Sequence, residues 1–181
     1  MYMSGQFVAK DEAQAVLWYR KAADQGLVDA QYYLGMMYEK GRGVPRDDAQ
    51  AVEWYRKAAD LGYYLAQYNL GLMYEKGRGV PQDDAQAVEW YRKAADLGYI
   101  LAQYNLGLMY EKGRGVPRDD ARAIEWYRKA ADHGNYLAED KLGWAYSEGR
   151  GVARDDAAAQ AWFRRAERGR VQEPRCTGCD F

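Results

Sequence analysis

The chain has 181 residues, with 26 basic against 27 acidic side chains, so its formal charge is −1. That balance provides no electrostatic footprint for nucleic acid or for an anionic membrane surface. Hydroxyl and imidazole chemistry has little to draw on, because the chain holds only Ser4, Ser147, Thr177 and His133, and nowhere do roughly 18 apolar residues run together as a membrane span would need.

A single period organises everything else. Trp18, Trp54, Trp90, Trp126 and Trp162 stand 36 residues apart, and Gly35, Gly71, Gly107 and Gly143 keep the same step. Self-similarity of this length is the signature of a stacked repeat. Residues 1–29 form a shortened first repeat. Met1-Tyr2 aligns with Met37-Tyr38, so nearly all of its first helix is missing, which points to a truncated array or a misassigned start. Its second helix, with Trp18 and Tyr19, then lacks half its packing partner. These residues also lack the apolar core of a signal peptide, so the cytoplasm is the default compartment.

Repeats 30–65, 66–101 and 102–137 follow. The first two differ at four of 36 positions and the last two at six. In 66–101, Ala66, Leu70, Met73, Tyr74 and Gly77 recur at helical spacing and define helix A. Gly77 suits a left-handed helix end, and Val80-Pro81 forces an extended step. Asp83 is the candidate N-cap of helix B, with Gln86 placed for a capping box. Ala87, Trp90, Tyr91, Ala94 and Ala95 form the apolar stripe of helix B. Glu89 and Lys93 are spaced as an outer ion pair. Gly98 ends helix B so close to the next helix A that consecutive helices must lie antiparallel. One hairpin is apolar on two sides, so copies must stack into an all-α solenoid. The five periodic tryptophans, Gly71 and Gly107 are the structural residues. Gly71 leaves room for the rings of Trp90 and Tyr74. Residues 138–169 form a C-terminal capping repeat, in which Lys141, Trp144 and Ala153 replace Asn105, Leu108 and Pro117. Residues 170–181 form a disordered tail.

The string AQYNLGLMYEKGRGVPQDDAQAVEWYRKAADLGY (66–99) resembles the Sel-one-like repeat family, a branch of the tetratricopeptide-like helical superfamily. The likeness covers roughly residues 1–169. It implies a right-handed superhelix of hairpins that serves as a scaffold or adaptor, often bacterial, and that binds protein or peptide in its hollow.

On the helical wheel, a second face of helix A carries Tyr32, Tyr33 and Met36, then Tyr68, Asn69 and Leu72, then Tyr104, Asn105 and Leu108, ending at Trp144. This ladder is the candidate partner-binding surface, with aromatic anchors and with Asn to grip a peptide backbone. The competing reading packs Tyr68 and Leu72 against the next helix A, with Asn69 and Asn105 exposed. The partner is an unidentified protein or peptide. Neither nucleic acid nor membrane is called for, and the chain is a monomer or a weak end-to-end oligomer.

Other motifs carry little chemistry. The Gly-Arg-Gly-Val-Pro loop lacks the Lys-Ser/Thr of a phosphate loop. Asp47-Asp48, Asp83-Asp84 and Asp119-Asp120 sit where helix caps are favoured. His133 has no second histidine for a metal, and no cofactor or metal is expected. Cys176-Thr-Gly-Cys179 supplies half a zinc ligand set at most. The Arg164–Arg170 cluster is interrupted by Glu167 and reads as a solvated end. Two other functions compete with the adaptor reading, which is non-catalytic. A β-lactamase-like or cell-wall-precursor-binding activity is suggested by cysteine-rich members of the family, but serine chemistry needs Ser-x-x-Lys, and Ser4 and Ser147 are followed at that spacing by Phe7 and Arg150. The other is a self-assembling structural array, open at its first helix.

Overall fold

A computed structural model of the chain describes residues 11–172. Among the described residues it contains helices and no strand: α1 (Glu12–Ala23), α2 (Val28–Lys40), α3 (Asp48–Asp60), α4 (Tyr64–Lys76), α5 (Asp84–Asp96), α6 (Ile100–Lys112), α7 (Asp120–Asp132), α8 (Tyr136–Glu148) and α9 (Asp156–Gln172). Even-numbered helices are the A helices of the repeat, and odd-numbered ones are the B helices. The chain forms two compact units, one ending at Ala94 and the other starting at Ala95. In the first, α1 packs on α2, α2 on α3 and α3 on α4. In the second, α6 packs on α7, α7 on α8 and α8 on α9. Packing between sequence neighbours is what a solenoid of hairpins requires.

The turn chemistry closes each hairpin. Gly77 ends α4 at φ 63°, a conformation that costs a side-chain-bearing residue. The N–H of Arg78 then reaches back to the Met73 carbonyl at 2.9 Å, which satisfies a carbonyl that the helix end would otherwise orphan. The backbone N–H of Asp83 donates to the Tyr74 carbonyl at 3.0 Å, tying the start of α5 to the end of α4. Asp83 caps α5 as expected, its carboxylate accepting from the N–H groups of Ala85 and Gln86, each at 3.0 Å.

Three details differ from the sequence expectation. There is no capping box, because the Asp83 N–H is already taken by Tyr74 and the Gln86 amide turns to Glu89. Lys93 does not pair with Glu89; its ammonium sits 3.8 Å from the centre of the Trp90 ring, a favourable cation–π position. Gly71 admits neither Trp90 nor Tyr74 but Tyr91: a Cβ at Gly71 would stand 2.7 Å from carbons of that ring. Gly35 admits Tyr55 and Gly107 admits Tyr127 in the same way.

The core is built from these pairs. Ala66, Leu70, Ala87, Tyr91 and Ala94 are fully buried, as are their counterparts Leu34, Ala51, Tyr55 and Ala58. Trp54 and Trp90 are buried, while Trp126 and Trp162 are half-buried. Trp18 does not share the structural role assigned to the tryptophan series. It is 67% exposed, because among the described helices α1 packs on α2 alone, whereas α3 lies between α2 and α4.

At the other end α9 continues through Gln172, so residues 170–172 are helical rather than tail. Cys176 and Cys179 lie outside the described residues. No described helix is long and apolar enough to cross a membrane.

Candidate functional site

The A helices bury one face and turn the ladder face away from it. In the first unit, the Tyr32 ring lies 5.8 Å from that of Tyr55 and 5.2 Å from that of Tyr63. Tyr33 is exposed and stacks on Tyr19 at 5.4 Å, and Met36 is half-buried. One repeat on, Tyr68 lies 5.8 Å from Tyr91, and Leu72 and Asn69 are half-buried. In the second unit, Tyr104 lies 5.9 Å from Tyr127, and Asn105 and Leu108 are half-buried. Trp144 is 54% exposed and meets Phe163 edge-on at 5.4 Å. Tyr32, Tyr68 and Tyr104 therefore lean on helix B of their own repeat and Tyr33 on that of the preceding one, partners that the helical wheel did not suggest. Helix B supplies a ring at the same position each time: Tyr55, Tyr91, Tyr127, then Phe163.

Beneath the ladder runs a polar network that the sequence did not disclose. Tyr55, fully buried, donates its hydroxyl to Glu39 at 2.7 Å. The Asn69 side chain lies beside the same hydroxyl. Burial, reinforced by the Glu39 charge, pushes the Tyr55 hydroxyl far above the ordinary phenol range, so it acts as a fixed donor. Arg78, from the loop after α4, reaches back 2.9 Å to Glu39 and 3.0 Å to Asp48. The second unit repeats the arrangement with two exchanges, the first being that Arg150 pairs with Glu148 at 2.6 Å where Arg78 pairs with Asp48. Tyr127 donates to Glu111 at 2.6 Å, Arg150 approaches the same carboxylate at 3.5 Å, and Lys141 takes the asparagine position and reaches Glu111 at 2.7 Å. Burial pushes the Glu111 carboxyl up, but the hydrogen bonds from Lys141 and Tyr127 and the nearby cationic charges outweigh it and leave it below its ordinary value.

The paired aspartates divide their work. Asp47 caps α3, accepting at 3.0 Å from Ala49 and Gln50. Asp48 joins two repeats through Arg78 and also holds Arg46 at 2.8 Å. Hydrogen bonds from Arg46 and then Arg78 hold the Asp48 carboxyl at about 2, against the opposing pull of burial. An unfolded aspartate titrates near ~3.9. The folded value is the lower one, so the joint contributes in full above about pH 4 and loses its contribution as pH falls through about 2. With solvent screening allowed for, Asp48→Asn should lower stability by about 1 kcal/mol near pH 6. In urea titrations the difference from the parent chain should close as pH approaches 2; a difference that persists there would remove Asp48 from the joint.

One further residue was missed. Gln31, Gln67 and Gln103 are buried polar residues on the A helices. The Gln67 amide donates to the Ala59 carbonyl at 3.1 Å, and Gln31 and Gln103 do the same to Ala23 and Ala95. Each adds a second donor to a carbonyl in the last turn of a B helix, which also accepts from the N–H of the following glycine. In the last repeat Glu139 stands at this position and cannot donate. Arg165 replaces the lost donor, binding the Ala131 carbonyl at 3.2 Å and Glu139 at 3.0 Å.

The remaining candidates sit as follows. His133 follows α7, its backbone N–H donating to the Ala130 carbonyl at 3.2 Å. Arg170 reaches Asp140 of α8. Among the described residues no group of three or more His, Cys, Asp or Glu side chains is placed to hold a metal. The hydroxyls of Tyr55, Tyr91 and Tyr127 donate to Glu39, Glu75 and Glu111, and the ladder above them can present rings, amides and aliphatic side chains to a partner.

The model of the Sel1 repeat matches residues 1–27, 28–63, 65–99, 100–135 and 137–169. The chain belongs to the Sel1 repeat family. It is similar to the Escherichia coli protein c5321, a protective antigen present in uropathogenic strains that displays an SLR fold, with 48% identity and a TM-score of 0.88 over 91% of this chain. It spans only 35% of that protein's length. A Sel1 repeat protein from Oxalobacter formigenes shares 36% identity and a TM-score of 0.86, covering 90% of this chain and 67% of the other. Helicobacter pylori cysteine-rich protein B shares 25% identity and a TM-score of 0.57, over 75% of this chain and 97% of its own. No curated protein sequence matches significantly.

Proposed function

We propose that this Sel1 repeat chain is a non-catalytic adaptor that captures a protein or peptide on the ladder face of its A helices. One observation carries the reading. The same helices that bury Leu34, Leu70, Leu106 and Leu142 completely on one face leave large apolar side chains on the other, up to Trp144 at 54% exposure. Large aromatic and aliphatic side chains, held in place and reachable, are what binding surfaces use as anchors. Each unit carries its own stretch: Tyr32, Tyr33, Met36, Tyr68, Asn69 and Leu72 in the first, and Tyr104, Asn105, Leu108 and Trp144 in the second.

Substituting Asn69, Leu72, Asn105 and Leu108 together should abolish partner capture from a proteome pull-down and leave the helical circular-dichroism signal intact. Capture that survives in a folded variant would remove the ladder from the binding role.

A further inference from the structure

The interior B helices end in a way that folding does not reward. Asp24 is the C-cap of α1, and Asp60, Asp96 and Asp132 are the last residues of α3, α5 and α7. A helix turns the negative pole of its dipole to that end, which repels a carboxylate and favours a cation. Among the described residues no ion pair engages any of these four carboxylates. The carboxylates at the opposite end of the hairpins behave differently: Glu12 holds Arg42, Glu39 holds Arg78, and Asp48 holds both Arg46 and Arg78.

The same turns carry exposed apolar side chains. Short turns join α1 to α2 and α3 to α4, so the C-terminal ends of α1 and α3 share one edge of the first unit. Leu27 and Leu61 on that edge are each more than half exposed, and Tyr64 is exposed beside the Tyr63 ring, 6.0 Å away. Asp29 adds a carboxylate next to the Tyr63 hydroxyl. In the second unit Leu97, Leu101 and Leu137 are exposed at the corresponding turns.

We propose that the turn edge of the first unit is a docking surface for a basic, arginine-bearing segment of a partner protein, with guanidinium groups on Asp24 and Asp60 and apolar residues over Leu27, Leu61 and Tyr64. Charge complementarity sets the chemistry of the occupant: carboxylates without a cation on an apolar edge attract a basic segment and repel nucleic acid and anionic lipid. The last repeat shows which cation suits such an edge. There Arg170 lies over the Tyr136 ring at 5.7 Å and reaches Asp140, and Tyr136 holds the repeat position that Tyr64 holds. A guanidinium stacks on a tyrosine and pairs with a carboxylate at the same time, which a lysine ammonium does less well. The edge lies outside the ladder and shares none of its residues.

The test uses the full chain, isotope-labelled at leucine methyls and tyrosine rings, titrated with the blocked peptide Ala-Arg-Leu-Ala-Arg-Leu-Ala and followed by NMR. Saturable shifts of Leu27, Leu61 and Tyr64 are expected. The same peptide with citrulline for both arginines keeps the shape and loses the charge, and should bind about tenfold or more weakly. Asp24→Asn/Asp60→Asn in the chain should weaken the arginine peptide comparably without lowering the thermal unfolding midpoint, because it removes charges that the helix dipole opposes. The fourfold ladder variant at Asn69, Leu72, Asn105 and Leu108 should bind the peptide unchanged, so failure of the ladder and failure of the edge give different results. Absence of saturable shifts, equal affinity for the arginine and citrulline peptides, or undiminished binding by Asp24→Asn/Asp60→Asn overturns the proposal. A lowered midpoint in that variant also overturns it, by making the carboxylates structural. So do shifts of Leu61 and Tyr64 that depend on chain concentration without peptide, which would put a second copy on this edge.

Discussion

Trp54→Ala should lower the unfolding free energy by about 3–5 kcal/mol, while Trp18→Ala should cost under about 1 kcal/mol. The two residues occupy the same position of the repeat. Trp54 is 8% exposed and belongs to the core formed with Leu34, Tyr55 and Leu70; its outer face carries the Lys57 ammonium, 3.8 Å from the ring centre. Removing it leaves a cavity that neighbouring rings on rigid helices cannot fill. Trp18 has a cation only at 5.7 Å and most of its surface in water, so truncation removes few contacts. Chemical denaturation of the two variants checks the contrast. Equal losses would mean that α1 is covered in solution as fully as α3.

The second large effect sits at the exchange in the last repeat. Arg165→Ala should cost about 3 kcal/mol, because it leaves the buried Glu139 carboxylate without its cation; the Ala131 carbonyl keeps the Gly134 N–H at 2.9 Å. The double variant Glu139→Gln/Arg165→Lys should recover most of that loss. It restores the residues of the interior repeats, where glutamine serves the carbonyl and lysine covers tryptophan, as Lys129 does over Trp126 at 3.7 Å. Arg165 performs both tasks at once, since its guanidinium also lies 4.5 Å from the Trp162 ring centre. Thermal unfolding of the parent, Arg165→Ala and the double variant decides the matter. A double variant no better than Arg165→Ala would show that the two positions are not coupled.

The helical period, the hairpins and the caps were legible in the sequence because each depends on residues close along the chain. Trp and Gly mark the period, Asp83 precedes its helix, and Gly77 follows one. What was not legible depends on direction or on distance. Trp90 and Tyr91 are adjacent, and the wheel alone does not say which ring meets Gly71. Gln67 reads as a solvated residue until the carbonyl of Ala59, eight residues earlier, is placed beside it. Arg78 and Asp48 are 30 residues apart, and nothing local ties one to the other. The helical wheel sets the ladder apart from the core, yet Tyr32 and Met36 pack against it, and the lean of Tyr68 and Tyr104 onto helix B emerges only in three dimensions. The tryptophan period also concealed a difference: Trp18 shares the register of Trp54 without sharing its cover.

The loop glycines have a consequence for how such chains change length. At Gly79 a Cβ would strike the Asp48 backbone carbonyl, at Gly43 that of Glu12 and at Gly151 that of Asp120, while Arg42 and Arg78 seize the acidic side chain at the same place. These three junctions share the glycine-on-carbonyl contact, and the two in the first unit add the same arginine–carboxylate clasp. A duplication or loss of one 36-residue segment brings matching fittings together again, so arrays can grow or shrink by genetic recombination without inventing a new junction.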